Sequence, residues 1–299
     1  MKAAAPSSNA SARALASNKT KTIGLIISRA PQYIATDPFL PQIIGGLLDV
    51  TKQYSQGLLL EWVEPGQQLE TYLELTRAHH IDGMILMTPR VDDTGLKALE
   101  EADIPVVLMG HITESTLHSV DVDNRSAAES AVCHLVELGH TKIACITNAA
   151  RPYTSASQRL EGYKQALKLA AIPYSESLVR EADFDIESGF QQMNSLLNSG
   201  EDFTAVFVAS DNVAVGAYSA LHDAGLSVPG DISVVGFDDI PLASFLDPPL
   251  TTIRMPAREI AEQSYHLLMR LMKWDFPDNS EILLPTDLVL RKSTRSLKD

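Results

Sequence analysis

Residues 231–253 read DISVVGFDDIPLASFLDPPLTTI, a stretch that joins a short apolar run to two adjacent acids. A strand is predicted over 232–237, and Asp238 and Asp239 follow it directly. Doubly wound parallel sheets bind ligands just beyond the C-terminal ends of their strands, so the two acids are expected at the edge of a cleft. An Asp in this place can also cap the next helix, and that alternative is open for both residues.

Short apolar runs alternate with helical stretches along most of the chain. Continuous Val, Ile and Leu runs are typical of strands buried in a parallel sheet. They occur at 23–27, 58–60, 83–87 and 105–109, and again at 142–146 and 205–208. Helices are predicted between them, including 158–170, 188–197 and 212–224. The pattern favours an α/β protein with two βα lobes in series and a binding site in the cleft between them.

Length and composition limit the class of protein. The chain of 299 residues is long enough for two domains, and it has no apolar run of the roughly 20 residues that a membrane span needs. The N-terminus lacks the apolar core of a secretory signal. Cys133 and Cys145 lie in apolar patterns typical of core residues rather than of a disulfide framework. The cytoplasm is therefore the expected compartment.

Charge is distributed unevenly. Residues 1–22 contain four basic residues and no acid, whereas the remainder carries 20 basic against 38 acidic residues. A body this acidic repels phosphate backbones, so it is not expected to be a nucleic-acid surface itself. Any contact with DNA is expected to come from the basic N-terminal arm or from a part of the protein outside this sequence.

Six segments in the same order resemble the lactose-repressor/galactose-repressor family of transcription regulators. They are Thr22–Ile27, Val122–Asn124, Leu138–Ile143, Arg159–Tyr163, 231–253 and Leu288–Thr294. The resemblance implies a periplasmic-binding-protein-like fold, with two doubly wound parallel-sheet lobes joined by three crossover segments. The implied first lobe is 22–123 plus 257–284, and the second is 124–253 plus 285–295. Residues 248–253 are expected to form one of the crossings.

The resemblance also implies a function. The chain is expected to be the effector-binding domain of a bacterial transcription regulator, a repressor, that binds a small sugar or related polyol between its lobes. A homodimer and no membrane partner are implied as well. A solute-binding receptor of a sugar transport system has the same fold and is the alternative, because fold does not fix function.

The N-terminal arm, residues 1–21, resembles the hinge segment and linker of the family. In the family this helix lies in the DNA minor groove, and the corresponding residues here are Asn9, Ala12 and Leu15. A disordered Ala- and Ser-rich tail is the alternative, since such a short helix is marginal alone in water. The family's helix-turn-helix head does not precede it, which favours a trimmed chain, and operator DNA is expected as a partner of the full-length protein only.

In the second lobe, the resemblance implies an effector site built around Arg159 and Asp238. The planar guanidinium suits vicinal oxygens, and the carboxylate accepts hydrogen bonds from hydroxyl groups. A structural ion pair between the two is the alternative. Phe184 is expected to stack on the effector or, alternatively, to be a core aromatic. Ser210 and Asp211 follow a strand at the same edge, and Asp211 can equally cap the helix that starts at Asn212. Asp239 is then interpreted as a helix cap.

In the first lobe, the loop after the first strand is expected to face the cleft, with Tyr33, Asp37 and Phe39 as candidate contacts. Arg90 and His111 follow later strands and are candidates by topology. Neither phosphate-binding loops nor a nucleophile elbow occur in the sequence, and its histidines and cysteines lack zinc-ligand spacing. No catalysis, cofactor or metal is therefore expected.

Overall fold

The computed structural model describes residues 20–29, 36–64, 66–102, 104–273 and 281–298. One group of elements alternates strand and helix from the start of the described chain. It comprises β1 (Thr22–Ile27), α1 (Leu40–Gln53), β2 (Gly57–Trp62), α2 (Gln68–Arg77), β3 (Gly83–Met87), α3 (Gly95–Glu101), β4 (Val106–Met109) and β5 (His118–Val122). Together with a later helix and strand, this group forms the first lobe.

The alternation continues through the second lobe. Its elements are α4 (Asn124–Glu137), β6 (Ile143–Thr147), α5 (Thr154–Leu169), β7 (Val179–Glu181), α6 (Ile186–Leu197), β8 (Ala205–Val208), α7 (Asp211–Asp223), β9 (Ser233–Asp238) and β10 (Thr251–Arg254). Short 3-10 helices lie at Glu176–Leu178 and Pro241–Phe245. The chain then adds α8 (Ala257–Leu271) and β11 (Glu281–Leu284) to the first lobe and β12 (Asp287–Val289) to the second.

The strands form two six-stranded sheets with matching orders. The first runs β11-β5-β4-β3-β1-β2 and the second β12-β10-β9-β8-β6-β7. Every neighbouring pair is parallel except β10 and β12, which are antiparallel. The chain passes between the sheets after β5, after β10 and after β11, and all of these strands lie at the same edge. This architecture confirms the predicted α/β fold with three crossovers.

Each sheet is covered by helices through apolar side chains. In the first lobe, α1 and α8 pack on the sheet with Leu47, Ile260 and Leu268 in the core. In the second lobe, α4 and α5 cover one face, with Leu135 and Tyr163 buried, and α6 and α7 cover the other. Gly216 permits the close approach of α6 and α7, because a Cβ there would lie 1.9 Å from the carbonyl oxygen of Ile186.

The prediction that residues 248–253 form a crossing is wrong. Thr251 to Arg254 instead form β10 inside the second sheet, where Thr251 pairs with Val235 of β9. Buried Thr251, Thr252 and Ile253 favour this strand because β-branched residues suit a pleated surface. The chain leaves the lobe later, at Met255 and Pro256.

Three further details concern the described part of the chain. None of its helices has the length and apolar character needed to cross a membrane. Cys145 is buried, Cys133 is partly buried, and both are free thiols. Helix ends differ from the sequence prediction by a few residues, most at α5, which begins at Thr154 rather than at 158.

Candidate functional site

A cavity lies between the lobes at the C-terminal ends of the strands. It encloses about 100 Å³. A cavity needs roughly 10–15 Å³ to hold one water, so this volume is several times that minimum. Six of the residues proposed from sequence line it, namely Asp37, Phe39, Arg159, Phe184, Ser210 and Asp238. The polar wall also includes residues that the sequence analysis did not single out, namely Arg29, Thr88, Asp121, Asn124, Asn148, Thr154 and Ser155.

Arg159 lies in the second turn of α5 and is held on several sides. Its Nε donates to Asn124 Oδ1 at 2.9 Å, and its Nη1 donates to the carbonyl oxygen of Ala209 at 2.7 Å. The guanidinium carbon lies 3.7 Å from the centre of the Phe237 ring. Burial lowers the pKa of Arg159, and the nearby carboxylates Asp238 and Asp121 oppose that effect. The guanidinium is therefore fixed in orientation at the cavity wall.

Asp238 ends β9 and faces the same cavity. Its Oδ1 lies 3.4 Å from Arg159 Nη1, and its Oδ2 accepts a hydrogen bond from Ser210 Oγ at 3.0 Å. Burial raises the pKa of Asp238 to about 6, although the Arg159 charge opposes the shift. Arg159 and Asp238 contact each other, and both line the cavity. The geometry is thus compatible both with a structural ion pair and with a pair that binds an effector.

Asp121 and Asn124 flank the crossing after β5. Asn124 Nδ2 donates to both oxygens of Asp121 at 3.1 Å, and Asp121 Oδ1 also accepts from the Val122 amide at 2.8 Å. Burial raises the pKa of Asp121 to about 6, against these hydrogen bonds and the charge of Arg159. Asp121, Asn124 and Arg159 therefore form one hydrogen-bonded chain along the cavity wall.

Asn148 contributes an acceptor from the end of β6. Its Nδ2 donates to Ser155 Oγ at 3.1 Å, and its side chain is buried. Among the described residues, Asn148 Oδ1 has no hydrogen-bond partner. A buried acceptor left unpaired costs about 1–3 kcal/mol, so a donor in the cavity would be stabilised at this point.

The first lobe brings an ion pair to the cavity. Asp37 accepts a hydrogen bond from the Arg29 side chain. It accepts a second one, at 2.9 Å, from the backbone amide of Phe39, the residue that precedes α1. The Arg29 guanidinium carbon lies 3.9 Å from the centre of the Phe184 ring in the second lobe. One face of Phe184 is therefore covered by a cation. Phe184 also packs with Tyr153 and Ala149, as a core aromatic does.

Three candidates from the sequence analysis lie away from the cavity. Asp211 is fully buried behind it, where its carboxylate accepts from Thr252 Oγ1 at 2.6 Å and from the Ile240 amide at 3.0 Å. Burial and the charge of Asp238 raise the pKa of Asp211 well above its ordinary value. Arg90 pairs with Asp92, and His111 lies 3.3 Å from Glu281. Topology places each residue at a strand end but does not fix the direction of its side chain.

The interpretation of Asp239 as a helix cap is wrong. The short helix at 241–245 follows Ile240 and has no side-chain cap. Asp239 instead accepts from Arg254 Nε at 2.7 Å and from Arg291 Nη2 at 2.6 Å. The arginines hold this carboxylate because their hydrogen bonds carry charge on both donor and acceptor, whereas the donor at a helix cap is a neutral backbone amide.

Four further candidates, Tyr33, Asn9, Ala12 and Leu15, lie outside the described residues. Within the described ranges, there is no cluster of three or more His, Cys, Asp or Glu side chains placed to hold a metal ion.

Comparisons with known proteins agree with the fold. A family model described as a periplasmic binding protein-like domain matches residues 132–294. The transcriptional repressor CytR of Escherichia coli K12 is 35% identical over 284 residues, which cover 94% of this chain and 81% of that protein. The solved complex of the transcriptional regulator CelR with cellobiose has a TM-score of 0.86 at 30% identity, covering 94% of this chain and 89% of that one.

The lac repressor dimer, solved with operator and the anti-inducer ONPF, has a TM-score of 0.85 at 31% identity, covering 97% of this chain and 99% of that one. These proteins are regulators of transcription.

Proposed function

Because the chain belongs to the lactose-repressor/galactose-repressor family of transcription regulators and forms its effector-binding region, we propose that a neutral, hydroxyl-rich molecule binds between its lobes. The observation that carries this proposal is the set of acceptors in the wall, above all Asn148 Oδ1, a buried acceptor without a partner among the described residues. Asp238 and Asp121 add carboxylate oxygens to the same wall. Hydroxyl groups of an effector would donate hydrogen bonds to these oxygens.

Charge favours a neutral effector over an anionic one. The ionisable groups that line the cavity are Arg29, Arg159, Asp37, Asp121 and Asp238, so their formal sum is one negative charge. Both arginines already contact carboxylates of the wall. A phosphorylated or carboxylated effector would add like charge to a buried, acidic site, which is unfavourable.

In this proposal Arg159 and Asp238 orient the effector. Arg159 Nη2 contacts the thioether sulfur of Met255 at 3.2 Å, which is a weak acceptor. An effector oxygen would be a better acceptor for this donor, while Asp238 would accept from an adjacent hydroxyl. A sugar or related polyol presents such vicinal groups, and the relative CelR was solved with cellobiose.

A thermal-shift screen tests the proposal. The panel contains neutral mono- and disaccharides, polyols and nucleosides, each beside its phosphorylated form. A neutral compound at 100 times its Kd should add about 2.7 kcal/mol of stability, whereas its phosphorylated form should add little. A panel in which only anionic compounds stabilise the protein would contradict the proposal.

The neighbouring acids provide a matched pair of variants. Asp238→Asn should abolish the stabilisation by the neutral compound, because the substituted residue lines the cavity. Asp239→Asn should keep that stabilisation, since Asp239 contacts Arg254 and Arg291 instead. Equal stabilisation of Asp238→Asn, Asn148→Ala and the unchanged protein would place the effector elsewhere.

We further propose that the protein acts in the cytoplasm as a dimeric repressor without catalytic activity. The relatives include a repressor and a dimer solved on its operator. The second lobe also exposes large apolar side chains, with Phe245 81% and Leu242 44% exposed, and such surface often marks an interface. Sedimentation of the chain should give a dimer that Phe245→Asp weakens. A strict monomer at micromolar concentration would contradict this part.

A further inference from the structure

Two arginines of the first lobe lie against two aromatic rings of the second lobe. Arg29 follows β1, and its guanidinium carbon lies 3.9 Å from the centre of the Phe184 ring. Arg90 follows β3, and its guanidinium carbon lies 4.6 Å from the centre of the Tyr153 ring. Guanidinium groups within about 6 Å of a ring centre are attracted by its quadrupole. The contacts therefore join the lobes.

Each partner is held in place by its own lobe. Arg29 pairs with Asp37, and Arg90 forms a two-pronged pair with Asp92 through Nε at 2.8 Å and Nη2 at 2.7 Å. The two rings pack edge to face, with their centres 5.0 Å apart. Because both sides are oriented before they meet, little side-chain freedom is lost when they join.

Backbone hydrogen bonds accompany the same contact. The Val91 amide donates to the carbonyl oxygen of Pro152 at 2.9 Å, and the Thr154 amide donates to that of Pro89 at 3.2 Å. Tyr153 Oη donates to the carbonyl oxygen of Ser28 at 3.1 Å. Residues 89–91 and 152–154 thus form a short bridge between the lobes.

The position of these contacts allows them to restrict the rotation of one lobe against the other. The crossings join strands that occupy the first and second places in each sheet, namely β11, β5, β12 and β10. Arg29 and Arg90 follow the fifth and fourth strands of the first sheet, whereas Tyr153 and Phe184 follow the fifth and sixth strands of the second. The contacts therefore lie across the cleft from the points about which the lobes can rotate.

We propose that Arg29, Arg90, Tyr153 and Phe184 form an inter-lobe latch that holds the mouth of the cleft shut. The four are positioning residues, because they set the angle between the lobes and through it the separation of the cavity walls. A role of the latch in effector sensing rests on the function proposed above, whereas the presence of the latch does not depend on that function. The latch gives a role to Arg90, which lies outside the cavity. It also implies that one face of the Phe184 ring contacts the Arg29 guanidinium rather than an effector.

The test measures lobe separation in the protein without any added compound. Spin labels are placed at Lys97→Cys in α3 and Glu187→Cys in α6, which are exposed on opposite lobes, after Cys133 and Cys145 are replaced by alanine. Arg29→Ala with Arg90→Ala should lengthen the interspin distance by several ångströms and broaden its distribution. Amide exchange at Val91 and Thr154 should accelerate about thirtyfold, the effect of losing a contact as strong as a desolvated cation–π pair.

Arg180→Ala is the matched control. Arg180 donates to Ser195 Oγ and to the carbonyl oxygens of Ser177 and Val179, all within the second lobe. It should leave the interspin distance unchanged. Tyr153→Leu with Phe184→Leu removes the rings and keeps the arginines, so it should open the cleft as far as the arginine variant does.

Combining the arginine and ring substitutions should add little further opening. Interspin distances in both sets no longer than in Arg180→Ala, with cooperative unfolding retained, would overturn the latch. The ring variants decide the matter if the arginine variants do not fold. Because no effector is used, a negative result in the thermal-shift screen leaves this outcome unaffected.

Discussion

The two sides of the cleft hold the lobes together by different means. On the crossing side, three chain segments pass between the sheets, and Asp239 joins Arg254, the last residue of β10 before the second crossing, to Arg291 of the C-terminal segment. On the latch side, no chain segment passes between the described lobes, and the contacts are ring faces, guanidinium groups and a few backbone hydrogen bonds. The chain segments of the crossings are covalent and keep the lobes joined, whereas each contact of the latch can break. Substitutions on the first side should therefore lower stability, and those on the second should mainly change lobe separation.

The largest effect is expected for Asp239→Ala on the crossing side. It leaves Arg291, whose side chain is 16% exposed, without its carboxylate partner. Removing one partner of a largely buried pair costs about 3 kcal/mol in the free energy of unfolding. Urea denaturation measures the change. Arg254→Ala removes the half-exposed partner and should cost no more than about 1 kcal/mol. Equal losses would show that exposure does not govern this network.

A smaller effect is expected from the pH dependence that Asp121 imposes. Because burial raises the pKa of Asp121 to about 6 in the folded state, the folded protein binds the proton more tightly than the unfolded chain. This group therefore adds stability as the pH falls below 6, and the contribution is lost as the pH rises through 6. Between pH 7 and pH 5 the free energy of unfolding should gain about 1 kcal/mol from Asp121.

Asp121→Asn should reduce the difference between urea denaturation curves recorded at the two pH values by that amount, and the part due to Asp238, whose pKa is also raised to about 6, should remain. Asp123→Asn is the control. Desolvation favours a higher pKa for Asp123, but hydrogen bonds from Ser126 outweigh it and lower the pKa below its ordinary value. Asp123 therefore stays ionised from pH 5 to 7, and its variant should keep the wild-type pH profile. Loss of the gain in both variants would refute the assignment to Asp121.

On the latch side, Tyr153→Phe removes one inter-lobe hydrogen bond and keeps the ring. The loss of stability should be about 1 kcal/mol or less. Amide exchange at Val91 and Thr154 should nevertheless accelerate, because these amides bond across the cleft. Tyr163→Phe removes a similar bond, from Tyr163 Oη to the carbonyl oxygen of Ile143, inside the second lobe. It should destabilise the protein without affecting those two amides, and the same acceleration in both variants would count against the distinction.

The smallest effect is expected at Gln158, whose Nε2 lies 3.5 Å from the carbonyl oxygen of His111 in the other lobe. At this distance the hydrogen bond is weak, so Gln158→Ala should change the free energy of unfolding by less than about 0.5 kcal/mol. The interspin distance between the lobes should also stay the same. A wider cleft in this variant would extend the latch toward β4.

The fold could be predicted well from the sequence because alternating strands and helices produce local patterns of apolar residues. Continuous apolar runs and their spacing are sufficient to predict βα alternation, and strand ends mark the edge where Arg159 and Asp238 meet. The direction of a side chain beyond a strand end is not local. Asp238 and Asp239 are neighbours, yet one lines the cavity and the other contacts Arg254 of β10 and Arg291 of the C-terminal segment.

The missed residues had weaker signals. Asn124 belongs to the segment Val122–Asn124, which contributed only to the family resemblance, and Asp121 directly precedes that segment. Asn148 directly follows β6, so a strand-end rule could have found it, whereas Ser155 lies in the first turn of α5. The pairing of Arg29 with Phe184 joins residues 155 positions apart, and its geometry depends on how the two lobes face each other. No pattern within either segment specifies such a contact.

Strands β11 and β12 lie in different sheets although only Pro285 and Thr286 separate them in sequence. As a result, neither lobe is a continuous gene segment, and a single recombination breakpoint cannot exchange one lobe for that of a relative. A fragment ending after β10 would leave that strand without β12 at its edge, where it could pair with another copy and aggregate. Successful chimaeras of this protein will therefore require breakpoints at all three crossings at once.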